Sequence, residues 1–174
     1  MLKQINKIIQ RSIKQDVFFH EITLEIDDKY FISEIEKKIT KSLLHYKTSV
    51  MGKMTTWDAF NNDKNFLKVL NYGLQSLKDH ISYEAVFLKS AWGIKIEKNG
   101  YSKKHNHHGS VYSGILYLND VDQEIFFPDL SLAIKPKKGT FITFSSCLQH
   151  YTNPHQNDEI KYAIPFNLNY HGDV

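Results

Sequence analysis

The spacing of hydrophobic positions changes near residue 83. From Tyr30 to about Lys47, Ile32, Ile35, Ile39, Leu43 and Leu44 recur at three- and four-residue steps, the period of a helix with one buried face. Asn65 to His80 repeats the pattern through Phe66, Val69, Leu70, Leu74 and Leu77, with Asn61, Asn62 or Asp63 available as an N-cap. Ahead of both, Val17 to Ile26 alternates Phe19, Glu21, Thr23 and Glu25 against its other residues, which predicts a strand. Between the helices, Thr48 to Asn62 carries Gly52 and Thr55-Thr56-Trp57 and reads as a loop of about 15 residues, long enough to be a lid or a packed excursion.

Beyond Tyr83 the chain breaks into short β-rich segments: Ala85 to Glu97, Ser110 to Leu118, Glu124 to Phe127, Leu130 to Ile134, Thr140 to Phe144 and Ile160 to Asn169. Asn99-Gly100, Asn119-Asp120, Pro128-Asp129, Pro136 to Gly139 and Asn153 to Asp158 supply the turns. Many short strands at this spacing imply a sandwich or barrel, and the jelly roll is the version that gathers strand ends around a central pocket. The expected fold class is mainly β with supporting helices: a double-stranded β-helix (jelly-roll, cupin-like) core with N-terminal α-helices packed on it. No repeat, low-complexity tract or linker interrupts the chain, so residues 1–174 read as one domain. Within it, 1–82 is helical support with one or two strands and 83–174 is the jelly-roll core.

Composition narrows the class. With 41% hydrophobic and 13% aromatic residues the chain can bury one substantial core. A formal charge of +3 arises from 22 basic and 19 acidic residues, and the lysine pairs at 37–38, 103–104 and 137–138 are dispersed, so nucleic acid is not an expected partner. Lys103-Lys104 reads as a solvated loop. The single cysteine, Cys147, excludes an internal disulfide, suits a reducing compartment and reads as a small buried core residue. No run approaches the length of a membrane span and the amino terminus lacks an apolar leader, which together predict a cytoplasmic protein.

Candidate chemistry is concentrated in histidines. His105, His107 and His108 crowd into one short stretch, and His150 follows a second strand-like run 43 residues after His107. Imidazole is a good ligand for divalent iron, zinc, copper and nickel, and ligands from two distant strands converge when the strands are neighbours. Residues i and i+2 share a strand face, so His105 and His107 can act together while His108 points away. A bare HxH also fits a histidine-rich surface turn. His20, His45 and His80 lie far from the cluster and read as ordinary surface or packed residues, His155 as a solvated turn residue, and His171-Gly172-Asp173 as a tail.

The order of motifs resembles a known family. His105-Asn106-His107-His108-Gly109-Ser110, Ser113 to Asn119, Pro136 to Phe144, His150 and Lys161 to Asn167 together resemble the iron(II)- and 2-oxoglutarate-dependent dioxygenases, in a branch with HxH in place of the commoner HxD. The likeness runs from about Trp92 to Leu168. It implies Fe(II) held by His105, His107 and His150, with 2-oxoglutarate and O2 as co-substrates, and hydroxylation of an unactivated C–H bond with release of succinate and CO2. His107 stands where the family places a carboxylate. Imidazole there leaves the iron site one charge unit more positive; alternatively water or a halide fills that position, or zinc is preferred. Lys161 lies where the family places a cation, usually arginine, for the far carboxylate of 2-oxoglutarate. Tyr117 matches a position whose phenol helps hold the same group, and Pro165 one often filled by a hydroxyl residue. Trp92, Ile94, Ile96, Leu116, Ile142, Phe144 and Phe166 have the types expected of a dry pocket wall.

Two other classes fit the same residues: a three-histidine cupin-type metal oxygenase that uses no 2-oxoglutarate, and a non-catalytic jelly-roll binding module. Expected partners are a small-molecule or peptide substrate and no membrane, with a homodimer as the assembly to look for.

Overall fold

The computed structural model describes residues 17–39, 48–80 and 85–171. Along these the chain forms β1 (Phe19–Thr23), α1 (Asp28–Lys38), β2 (Val50–Met51), β3 (Lys53–Met54), α2 (Lys64–Gln75), β4 (Val86–Ala91), β5 (Ile94–Ile96), β6 (Tyr101–Ser102), β7 (Tyr112–Tyr117), β8 (Ile125–Phe127), β9 (Leu132–Ile134), β10 (Thr140–Ser145), β11 (Tyr151–Thr152) and β12 (Lys161–Tyr170). The predicted extension of the first helix from residue 40 to Lys47 falls outside the described residues. None of the described helices is long and apolar enough to cross a membrane.

Asp27 opens α1 by accepting from the Tyr30 N–H. Asp63 opens α2, its side chain accepting from the N–H groups of Asn65 and Phe66 and also from the Tyr30 hydroxyl, which ties the two helix starts together. The second helix is shorter than its hydrophobic period suggested. Ser76 donates its hydroxyl to Gly73 O, and Leu77 and His80 bond three residues back, so the chain continues as turns instead of a regular helix.

The major sheet runs β1-β10-β7-β12-β5-β3, with β4 also paired to β12; β11-β8-β9 form a second sheet and β2-β6 a small ribbon. Alternation along the central strands separates two cores. Leu116, Phe141, Ile164 and Phe166 face the helices and pack with Phe31, Ile35, Phe66 and Leu70. Ile115, Tyr117, Ile142, Phe144 and Ala163 face the other way, toward Ile125, Phe127 and Ile134 of the second sheet. Each fully buried phenylalanine contributes roughly 2–3 kcal/mol. Gly114 permits this packing: a Cβ there would sit 2.1 Å from the Phe166 ring and 2.5 Å from Ile142 O. Gly139, at φ +81°, turns the chain into β10 where a Cβ would meet Leu24 O at 2.0 Å.

The segment expected to be a loop from Thr48 to Asn62 contains β2 and β3 and is anchored as a packed excursion. Thr55 takes both backbone groups of Gly93, its N–H donating to Gly93 O at 3.0 Å and its hydroxyl accepting from Gly93 N at 2.9 Å, which breaks the predicted 85–97 strand into β4 and β5. Phe60 is fully buried, and its N–H donates to Ala91 O. Leu116 and Phe166 line the helix-side core, not the pocket wall expected of them, because both belong to the opposite alternation of their strands.

Candidate metal centre and ligand cleft

His105 and His150 form an isolated antiparallel bridge at one end of the sheets, with His105 N–H donating to His150 O at 3.1 Å and His150 N–H to His105 O at 2.9 Å. Two residues on, His107 donates its N–H to Ser146 O at 3.0 Å, which carries its ring to the same place without a continuous strand. The ring centroids of His105, His107 and His150 lie 4.4–5.1 Å apart. One nitrogen from each falls within 4.8 Å of the others, so the three can hold a metal ion.

Hydrogen bonds choose the nitrogen that faces inward. His105 Nδ1 lies 2.7 Å from Lys103 O and His150 Nδ1 3.3 Å from Leu148 O. A carbonyl only accepts, so both Nδ1 atoms carry the hydrogen and both Nε2 atoms present a lone pair. His150 Nε2 stands 3.3 Å from His107 Nε2. Burial keeps the rings neutral: it lowers His105, brings His107 to about 4 with help from the His105 charge, and holds His150 well below the usual imidazole range with help from both neighbours. Three neutral imidazoles at pH 7 are ready to ligate without losing a proton first.

The three rings line a cleft between the two sheets together with Trp92, Ile115, Tyr117 and Lys161. Lys161 is 3% exposed. Its Nζ donates to Gln123 Oε1 at 2.9 Å and sits 5.2 Å from the centre of the Tyr117 ring. Dehydration pulls the ammonium down to about 7 and pushes the Tyr117 phenol up. Trp92, whose ring is 6.1 Å from that of His107 and edge-on to Trp57, has its indole N–H buried without a partner among the described residues. An orphan donor in a cleft wall suits a bound ligand.

The remaining expected residues fall elsewhere. His108 is exposed beside Asn106, 2.9 Å from its Nδ2. Two expectations are corrected. Cys147 is exposed, because it occupies the turn after β10, beyond the core-facing residues of the strand. His155 is fully buried, not solvated: its N–H donates to Gly100 O and its Nε2 to Glu159 O, folding the 153–159 turn around the ring. It does not line the cleft. His20 is half-buried on β1, His80 and His171 are exposed, and His45, Gly172 and Asp173 lie outside the described residues. Gln123 is the contact that sequence patterns miss: in Val121-Asp122-Gln123-Glu124 nothing distinguishes it from its polar neighbours.

The fold has counterparts among solved structures. A viral collagen prolyl hydroxylase from Paramecium bursaria Chlorella virus-1, in complex with 2-oxoglutarate, superposes with a TM-score of 0.65 at 18% identity over 86% of this chain and 94% of that one. The chain has the fold of the 2-oxoglutarate-dependent iron oxygenases. A prolyl-4-hydroxylase from Pseudomonas putida shares this fold at TM-score 0.65 and 12% identity, over 88% of this chain and 93% of that one. HygX from Streptomyces hygroscopicus, solved with nickel and 2-oxoglutarate, shares it at 0.64 and 12%, over 87% and 82%. No family model and no curated protein matches the sequence. In this fold, the three histidines and Lys161 line one cleft.

Proposed function

We propose that the protein is an Fe(II)- and 2-oxoglutarate-dependent dioxygenase that hydroxylates an unactivated C–H bond of a small-molecule or peptide substrate, releasing succinate and CO2. The observation that carries the reading is the pairing, in one cleft, of three inward-facing neutral imidazoles with a buried cation that has no acidic partner among the described residues. His105, His107 and His150 would hold the metal, and Lys161 with Tyr117 would receive the far carboxylate of the 2-oxo acid. The bound metal supplies one-electron chemistry with dioxygen, which no side chain here offers.

The protein's own residues do the rest. Nδ1–H bonds to Lys103 O and Leu148 O stop the His105 and His150 rings from turning their lone pairs away. Lys161 fixes the depth to which a dicarboxylate can enter, and Trp92, Ile94 and Ile115 exclude water from the space between. Neighbours in this fold include a prolyl hydroxylase from Trichoplax adhaerens in complex with a peptide fragment and HygX with hygromycin B, which supports a peptide or small-molecule substrate.

The test is an anaerobic titration of Fe(II)-loaded protein with 2-oxoglutarate, following the visible charge-transfer band of a chelated 2-oxo acid, in the wild type and in Lys161→Ala. The expected result is a band that saturates in the wild type and needs at least tenfold more ligand in the variant, about the worth of one charge-assisted hydrogen bond. The all-imidazole donor set favours a second reading, a three-histidine oxygenase whose substrate itself chelates the metal. Bound iron with no band at any 2-oxoglutarate concentration would select it.

A further inference from the structure

Gln123 is 3% exposed, and its side-chain amide is fully engaged. Nε2 donates to Gly100 O at 3.0 Å and to Asn153 O at 2.6 Å, while Oε1 accepts from Lys161 Nζ at 2.9 Å. These partners allow one orientation. Two carbonyls can only accept and an ammonium can only donate, so rotating the amide by 180° would lose all three bonds. Gly100 O also accepts the N–H of His155, and Asn99 donates to His155 O, so the carbonyls that aim Gln123 are themselves held by the buried 153–159 turn.

A bolt between two loops would need only the Nε2 bonds. The third bond does something else. It fixes the lysine ammonium with a neutral acceptor, where glutamate would be the ordinary partner for a buried cation. Of the groups around Nζ, Gln123 and the Tyr117 ring carry no formal charge, and dehydration alone accounts for the lowered proton affinity of the lysine. The site therefore bears the cost of a buried cation without the compensation that a single oxygen-for-nitrogen exchange at position 123 would provide.

We infer that Gln123 is a positioning residue that aims the Lys161 ammonium into the cleft without neutralising it, reserving that charge for the distal carboxylate of a dicarboxylate 2-oxo acid. This rests on the reading of Lys161 as the co-substrate cation. It assigns the preference for a dicarboxylate over a monocarboxylate 2-oxo acid to the pair Lys161–Gln123, not to Lys161 alone.

The experiment compares 2-oxoglutarate with pyruvate, which carries the same 2-oxo acid head and no distal carboxylate. Both are titrated anaerobically into the full-length Fe(II)-loaded wild type, Gln123→Glu and Gln123→Met, and the ratio of the two dissociation constants is read in each protein. The pyruvate titration also reports whether the metal end is intact. In the wild type 2-oxoglutarate should bind on the order of 100-fold more tightly than pyruvate. Gln123→Met should reduce that preference about tenfold by releasing the ammonium from its aim, and Gln123→Glu should abolish it by supplying an internal counter-ion.

A purely structural Gln123 would weaken both ligands together and leave the ratio unchanged, which overturns the inference. A preference in Gln123→Glu that survives as well as in Gln123→Met overturns it too, because charge would then be irrelevant. Should the Glu variant fail to fold, the Met variant decides alone: a fallen ratio supports the inference and an unchanged one removes it. A wild type that does not prefer 2-oxoglutarate over pyruvate brings down the underlying reading of Lys161. A wild-type preference with unaltered variants brings down only the role of Gln123.

Discussion

Replacing Lys161 by methionine should make the protein more stable while removing its grip on a dicarboxylate. Burial pulls the ammonium from its ordinary 10.5 to about 7. At about 1.4 kcal/mol for each tenfold change in proton affinity, that is about 5 kcal/mol of folding free energy lost at and below pH 7. Methionine fills nearly the same volume with no charge to dehydrate. It leaves Gln123 Oε1 without a donor, which costs about 1–3 kcal/mol. The net expectation is a gain of about 2–4 kcal/mol at pH 7, or roughly 5–10 °C in the unfolding midpoint for a chain of this size.

The pH dependence gives the sharper test. Between pH 7 and 10.5 the unfolded chain keeps the lysine proton that the folded chain has released, so wild-type stability rises with pH through that window. The variant has no such group, and every other titrating residue is common to both proteins. Urea unfolding of the two metal-free proteins at pH 7, 8, 9 and 10 should show the gap narrowing by about 1.4 kcal/mol per pH unit, vanishing between about pH 8.5 and 10 and reversing above that, where the lost Lys161–Gln123 bond outweighs what remains of the lysine's cost. A methionine variant no more stable than wild type at pH 7, or a gap that does not change with pH, would refute the argument that Lys161 is an uncompensated buried cation.

Two further outcomes follow from the same structure. Gly114→Ala should destabilise the fold by about 2 kcal/mol or more, read as a lower urea midpoint, because the new methyl would meet both the Phe166 ring and the immobile Ile142 carbonyl. The metal-free protein should lose stability as pH falls from about 6.5 to about 4, since unfolded histidines take up protons that the buried His105, His107 and His150 refuse; above 6.5 their contribution is complete. Thermal melts across that range should show a shallower pH dependence in His107→Ala.

Much of this architecture is legible in the sequence because long elements carry a period. The apolar faces of α1 and α2 and the runs that became β7, β10 and β12 are all visible as spacing. β2, β3, β6 and β11 are two residues each, too short to show any alternation. Strands buried on both faces hide their orientation: Leu116 and Phe166 are as hydrophobic as Ile115 and Phe144, and only the register tells which core each enters. Cys147 and His155 went the other way for a local reason, since exposure in a turn depends on how the turn folds rather than on residue type. At the cleft, histidines announce themselves by chemistry and Lys161 by its place in a motif. Gln123 does neither, because its role exists only through partners at 100, 153 and 161 that no sequence window joins.

The electrostatics of the cleft tie these observations together. A carboxylate at position 107 would give a bound divalent ion one protein anion, and a glutamate at 123 would give Lys161 another. This chain has neither: the candidate donor set is three imidazoles and the lysine's partner is an amide. Under the proposed reading a loaded cleft therefore carries the charge of the metal and that of the Lys161 ammonium, with no acidic side chain among the described residues that line it. A ligand with a carboxylate at each end, separated by a short apolar spacer, is the species that answers both charges at once. Neutral partners at positions 107 and 123 thus act in the same direction. Each leaves a cation uncompensated, the bound metal in one case and the ammonium of the folded chain in the other, and the dianionic co-substrate relieves both on binding.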